Sequence, residues 1–440
     1  MATPKQSGPD ARHDLQPELQ PQAPAAHEAQ PKPAGVAEKP RTPLAMVQAV
    51  EGVGTEAVDH VAKIAADAAH EWTTIAKWLH SSRGNDFVQQ VAARMTVGGD
   101  VAKQVASLSP EQRQAYDEIR AKNPKATEQE ALKQAQMSRP LDAKDQQHVL
   151  DAISKLASVK PKPINPGNNP NVTQIEVSFD GTWDNKDEMA IDTNPALIND
   201  LFEGTKHYEL GVATSPETSA LGGWFGAGIS NRINTAYNQI VQDVNAAKQA
   251  NPNAEVVLIV AGFSRGSAAA RAFANVLAKR GIPDTSSKKT EDGGYEKKLA
   301  TPRIGAMILF DTVGSVGIPG TNLNPGLDLS IPTNVDNVLH LTAGDEKRKM
   351  FPLSSAKDPT QPDDPRITEL TLPGAHSDIG GSYANDYSKI PLAMADDYLR
   401  RAGANVKQVG MPDVHDPGLR LHDTGGSGER TVYDSKNPRR

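Results

Sequence analysis

The 440-residue chain carries 47 Lys and Arg against 54 Asp and Glu, a net charge of -7, and has no cysteine. The acidic balance argues against a general nucleic-acid binder, which presents a basic face. The missing thiol excludes disulfides, thiolate zinc sites and cysteine nucleophiles. Length allows two or three domain-sized units, and an apolar content of 37% with 5% aromatics places part of the chain outside a packed core.

Residues 1–43 hold nine prolines, with repeated Gln and Ala and few large apolar side chains. Such a segment buries too little to offset its ordering entropy, so it is expected to be a disordered tail. It lacks the apolar core of a secretory signal. No apolar run along the chain approaches the roughly 20 residues of a membrane span, so if the protein leaves the cell, something other than a cleaved signal peptide is expected to export it.

Residues 44–157 read as a helical region. Val58, Val61, Ala65, Ala68, Trp72, Ile75 and Leu79 recur at steps of three and four, one face of a helix. Packing of helix on helix is the expected use of this stripe, including Trp72 and Trp78, with a partner surface or a membrane-facing patch as the alternative. Ser109-Pro110-Glu111-Gln112 is a helix start with a capping box, and Thr127 with Glu130 repeats the pattern. Asp142 caps a further helix reaching to about Ala157.

Residues 158–172 form a Pro/Asn/Gly linker. From 173 to 440 the pattern becomes strand, loop, helix, repeated. β-rich runs fall at Gln174–Phe179, Glu255–Val260, Arg303–Phe310, Val335–Leu341 and Arg366–Leu372, with helices at Asn231–Gln249, Ser267–Arg280 and Pro391–Ala402. Near-continuous apolar strands alternating with helices predict a mostly parallel sheet with helices on both faces, an α/β fold.

The strongest chemical signal is Gly262-x-Ser264-x-Gly266. The triplet arises by chance in a chain of this length about one time in five, so its weight rests on context. An apolar β-run precedes it and an Ala-rich helical pattern follows, the strand–turn–helix that a nucleophile elbow demands. The tight turn thrusts Ser264 Oγ above the sheet. It also aims the amide of Arg265 at the place where an oxyanion forms.

The order nucleophile, acid, histidine then leads downstream. The strand Ile304–Phe310 ends in Asp311, a carboxylate at the edge where such folds place their chemistry. Ile367–Leu372 runs into the loop that bears His376. Asp311 is therefore expected to orient His376, and His376 to act as base on Ser264. Asp378 competes for the orienting role or caps its loop. His422, followed by Asp423, is an alternative base, and His340 reads as a satisfied structural histidine. The first strand ends in Phe179-Asp180-Gly181-Thr182, where Gly181 or Thr182 is placed to supply the second oxyanion N–H, and Asp180 to cap or orient the loop.

These residues together resemble a bacterial family of α/β-hydrolases that includes phospholipase effectors of the type VI secretion system. The resemblance covers roughly 174–435 and rests on seven blocks in order: FDGTWDN (179–185), GVAT (211–214), GGWFGAG (222–228), GFSRGSAAARAFA (262–274), FDTVGSVG (310–317), HLTAGDEKR (340–348) and PGAHSDIGGSY (373–383). It implies a triad of Ser264, Asp311 and His376 and ester cleavage in glycerophospholipids. It also implies an antibacterial toxin that is cytoplasmic in the producer and then delivered to a rival's periplasm or membrane. The expected partners are the phospholipid membrane, a secretion-system component or chaperone, and a cognate immunity protein, with no nucleic acid.

Larger members carry an extra membrane-engaging module, whereas here about 60 residues follow His376. The Asp and Asn residues clustered at 180–187 and 385–386 leave a calcium or similar ion open, although their spacing matches no ion-binding loop; the serine mechanism needs no cofactor, and no metal site is assigned. Trp224 and Phe225 are placed to form an apolar lid or to pack in the core. The competing functions are an intracellular carboxylesterase or thioesterase on soluble esters, and a non-catalytic scaffold with a hydrolase fold.

Overall fold

The computed structural model describes residues 43–48, 50, 57, 58, 60, 61, 64, 75, 78, 79, 82, 101–181, 184, 191–211, 227–314, 327–348, 351–384 and 386–424. The chain divides into two compact units, Met1–Thr96 and Val97–Arg440. The proline-rich tail lies outside the described residues except Pro43, which opens the helix Pro43–Gln48. In the first unit Val47, Ala57, Val58, Val61, Ile64, Ile75 and Leu79 form a buried cluster with Trp78 packed against it. Ala65, Ala68 and Trp72 of the expected stripe lie outside the described residues.

The second unit is built on six strands, β1 (Val172–Phe179), β2 (Thr205–Glu209), β3 (Glu255–Phe263), β4 (Arg303–Phe310), β5 (Val338–Ala343) and β6 (Ile367–Leu372). Every pairing in this sheet is parallel, in the order β2-β1-β3-β4-β5-β6. The helices are α1 (Val101–Ala106), α2 (Pro110–Lys122), α3 (Glu128–Met137), α4 (Ala143–Ser158), α5 (Asn194–Leu201), α6 (Ala227–Ala250), α7 (Arg265–Arg280), α8 (His376–Gly380) and α9 (Lys389–Ala402).

Successive strand side chains point to opposite faces, and β3 shows what this does to a continuous apolar run. Val257, Ile259, Ala261 and Phe263 join the core beneath α4, α5 and α9. Val256, Leu258 and Val260 join the core beneath α6 and α7. The sheet is thus covered on both faces, as its apolar strands predict. Among the described residues, no helix is long and apolar enough to cross a membrane.

The N-terminal caps form as their residue types dictate. The Ser109 hydroxyl accepts the Gln112 amide while Gln112 reaches back to the Ser109 amide, and Thr127 and Glu130 do the same on α3. Asp142 caps α4 by accepting from the Asp145 amide at 2.8 Å. The apolar face of α4 then buries Val149, Ala152 and Leu156 against the sheet core. At about 1.5–3 kcal/mol for each fully buried large aliphatic side chain, this helix is bound strongly to the sheet. A short strand, Ser138–Pro140, pairs antiparallel with Arg420–His422 and joins the α3–α4 connection to the C-terminal segment.

The sheet order matters for function. After β1 the chain moves outward to β2, then crosses back beyond β1 to lay down β3. Such a reversal leaves a crevice outside the carboxyl ends of the two strands concerned. Here those ends are Phe179 of β1 and Phe263 of β3, neighbours in register through Phe179 and Gly262.

Candidate active site

Ser264 follows β3 directly and caps α7 with φ 58 and ψ -124. A left-handed conformation at a non-glycine residue costs of order 1–3 kcal/mol and persists only where neighbours hold it. The neighbours are specific. The Ser264 amide donates to the Phe310 carbonyl at 3.0 Å, and the Val313 amide donates to the Ser264 carbonyl at 3.2 Å. Ser267 Oγ donates to the Gly262 carbonyl at 2.7 Å and to that of Phe310 at 3.1 Å. The elbow is thereby stapled to the end of β4.

Both elbow glycines are sterically required. A Cβ on Gly266 would lie 2.2 Å from the Phe179 carbonyl oxygen, and one on Gly262 would lie 2.7 Å from the Gly266 oxygen. No side chain fits at such distances, so α7 can begin against the end of β1 only with glycine there.

Asp311 is the first residue after β4 and is fully buried, with φ 38. One carboxylate oxygen accepts the Ala343 amide from the end of β5 at 3.0 Å. The other is 2.6 Å from Nδ1 of His376. His376 opens α8, after β6, and its ring lies between Phe263 and Phe351, with centroids 4.5 and 5.0 Å away. Phe263 immediately precedes Ser264, so the imidazole rests against the strand that carries the serine. Burial pushes the His376 pKa below its ordinary value, more strongly than the Asp311 hydrogen bond and charge raise it. The ring is therefore neutral at physiological pH, the state a general base requires.

The remaining sequence candidates occupy other roles. Asp378 is engaged by the loop backbone and by His422. Its Oδ2 accepts the Ala375 amide at 2.8 Å and the His422 amide at 2.7 Å, and its Oδ1 lies 2.8 Å from His422 Nδ1. His340 is fully buried between Thr312, whose amide donates to Nε2 at 3.2 Å, and Glu369, 2.8 Å from Nδ1, and so is a satisfied structural histidine.

Asp180 both caps and orients the first loop. Its Oδ1 accepts from the Gly181 amide and the Thr193 hydroxyl, each at 2.7 Å, and its Oδ2 accepts from the Tyr208 hydroxyl. The Gly181 N–H, expected as an oxyanion donor, is thus engaged by Asp180. Thr182, the other expected donor, lies outside the described residues, as do Trp224 and Phe225. Arg265 is the first residue of α7, where its amide belongs to the positive end of the helix. Burial lowers its guanidinium pKa to about 10, against the opposing charge of Asp184.

Three contributors carried no assigned role in the sequence reading. Asp345 accepts the Gly374 amide at 2.8 Å and returns a main-chain bond to the Gly374 carbonyl at the same distance, clamping the His376 loop. Glu346 accepts the His376 amide at 3.3 Å and is gripped by Arg348. Arg271, buried in α7, donates to the carbonyls of Leu329 at 2.6 Å and Ser354 at 2.9 Å, fixing two loops beside the elbow. The available signal was charge inside apolar surroundings: acidic residues just past the apolar β5, and an arginine amid alanines.

A parallel sheet with its switch point at a strained strand–serine–helix elbow, and a buried histidine–aspartate pair beside it, is an α/β fold of hydrolase type. The chain belongs to the T6SS phospholipase effector Tle1-like catalytic-domain family, whose model matches residues 173–297 and 283–396. An uncharacterized protein from Pseudomonas aeruginosa is similar in structure, at 22% identity and a TM-score of 0.41 over 63% of this chain and 52% of that one. The Tle1 effector bound to the VgrG spike of the Type 6 secretion system shares 23% identity at a TM-score of 0.35, over 52% of each chain. The Vlm2 thioesterase domain, solved with a dodecadepsipeptide, shares 10% identity at a TM-score of 0.29, over 56% of this chain and 99% of its own. The chain thus spans about half the length of the first two. No curated protein matches it.

Proposed function

We propose that the chain is a serine phospholipase of the type VI secretion system that releases acyl chains from glycerophospholipids. The observation that carries the reading is the 2.6 Å contact between His376 Nδ1 and Asp311, set against the strained Ser264 elbow. Membership of the Tle1-like family supports the substrate class.

In this reading Ser264 Oγ attacks the ester carbonyl while His376 takes its proton. The Arg265 amide holds the oxyanion together with the Gly181–Thr182 loop, through Thr182 directly or Gly181 on release from Asp180. Collapse breaks the ester C–O bond, and the departing lysophospholipid alkoxide takes the proton from His376. Water, deprotonated by His376, then attacks the acyl-enzyme and frees the fatty acid and the serine. Every bond change is covered by protein groups and water. Delivery on a secretion spike into a rival's envelope, with an immunity protein protecting the producer, completes the proposal.

The test compares wild type with Ser264→Ala for fatty-acid release from mixed phospholipid vesicles and from a short soluble ester. Vesicle hydrolysis abolished in the variant supports the reading. Turnover of the soluble ester alone replaces it with an esterase, and equal vesicle hydrolysis by both proteins removes Ser264 from the chemistry.

A further inference from the structure

The pair formed by Asp378 and His422 has no part in the reaction just described, yet both residues are buried, at 0% and 2% exposure. Asp378 sits in α8 two residues beyond His376. Its Oδ2 accepts the amide of Ala375, the residue that sets where His376 begins its helix, and the amide of His422. Its Oδ1 meets the His422 imidazole, which in turn packs against the Tyr383 ring at a tilt of 45°, with centroids 4.1 Å apart.

His422 ends the short strand that pairs with Ser138–Pro140, and the Asp423 amide donates to the Met137 carbonyl at 3.0 Å. One residue on, Thr424 Oγ1 donates to the Asp345 carbonyl at 3.0 Å and accepts the Lys347 amide at 2.8 Å. Residues 420–424 therefore stitch together the α3–α4 connection, the loop after β5 and the loop that carries His376.

We propose that Asp378 and His422 are positioning residues for the hydrolytic reaction, their buried pair holding the His376 loop to the strand Arg420–His422 and, through it, to Ser138–Pro140. The inference rests on His376 as the base of the proposed reaction. The physical argument is that α8 has five residues, too short to hold its own place. A general base displaced by about 1 Å loses roughly a hundredfold in rate. An uncompensated carboxylate would be costly here; the donors from residues 375 and 422 satisfy it and fix the loop at the same time.

The experiment measures kcat and KM on a soluble ester, together with the downfield proton resonance of His376 Nδ1, in wild type, Asp378→Ala, Asp378→Asn and His422→Gln. The alanine variant is expected to lose kcat by about a hundredfold with KM changed less than about threefold, and to broaden the His376 resonance. Asp378→Asn keeps an oxygen for both main-chain donors and recovers most of the rate. Asp378→Ala with wild-type kcat and an unshifted resonance overturns the inference, as does Asp378→Asn as slow as the alanine variant. Should the alanine variant not fold, His422→Gln, which keeps the main-chain bond and removes the imidazole, decides by the same two readouts. Should wild type hydrolyse no ester, the proposed function falls, and the His376 resonance alone still judges the positioning role.

Discussion

Ser264 holds a backbone conformation that an L-residue adopts only under constraint, and the constraint comes from the ends of β3 and β4 together. Removing its hydroxyl leaves the turn intact, so Ser264→Ala is expected to cut kcat by at least about 10⁴-fold without lowering Tm. Asp311→Asn should cost about 10⁴-fold, because the amide favours the wrong imidazole tautomer. An effect under tenfold in either variant counts against the assigned roles.

In the proposed reaction His376 sets the pH dependence. Burial depresses its pKa, so the base is neutral, and active, above a midpoint that lies below the ordinary histidine value of about 6.5. The acid limb of kcat/KM is expected there, with activity lost as pH falls through it. Asp311 raises this pKa against burial, so the residual activity of Asp311→Asn should have a still more acid midpoint. A wild-type midpoint above 7 would sink the neutral buried base.

At the level of elements, the elbow depends on how closely α7 approaches β1. Gly266→Ala puts a methyl 2.2 Å from the Phe179 oxygen and 2.5 Å from that of Asp180, both main-chain atoms. The helix start must move. The expected outcome is a Tm lower by several degrees and activity reduced more than stability; a variant with unchanged Tm and kcat would show that α7 slides freely. The β5–β6 pair carries a second device. Burial pushes the Glu369 pKa up, but the hydrogen bond and charge interaction with His340, then the hydrogen bonds from the Ala356 amide and Ser355, outweigh it and hold the value down to about 2. A depressed carboxyl pKa stabilises the fold above the unfolded value of about 4.3, and that contribution is lost as pH falls towards 2. Tm should drop across this window in wild type and drop less steeply in Glu369→Gln.

For the molecule as a whole, the boundary between compact units falls at Thr96/Val97, and α4 shares the core of the sheet. A fragment spanning 97–440 should fold cooperatively and keep ester hydrolysis. One spanning 159–440 loses Val149, Ala152 and Leu156 from the core cluster that includes Leu339 and Leu370, and uncovers apolar surface on the sheet. It is expected to be insoluble or to melt far lower, and equal melting temperatures for the two fragments would contradict that placement of α4.

The sequence by itself determined the parallel sheet, the elbow and its two glycines, and the capped starts of α2, α3 and α4. Each of these is local: period-2 or period-3.6 apolar patterns, hydroxyl and carboxylate caps, and turns too tight for a side chain. Tertiary structure alone decided that Asp378 meets His422; the Asp311–His376 pair was the one the chain order led to expect. Asp378, two residues beyond His376, was an equally plausible neighbour by position in the chain. The pairing is set by adjacent β4 and β5 ends and by the strand Arg420–His422, which claims Asp378 for His422. The short strand β2 (Thr205–Glu209) was illegible too, since an edge strand with exposed Thr205 and Lys206 carries no continuous apolar run. Long-range pairing leaves no periodic trace, because its partners are chosen by the folded backbone rather than by their neighbours in sequence.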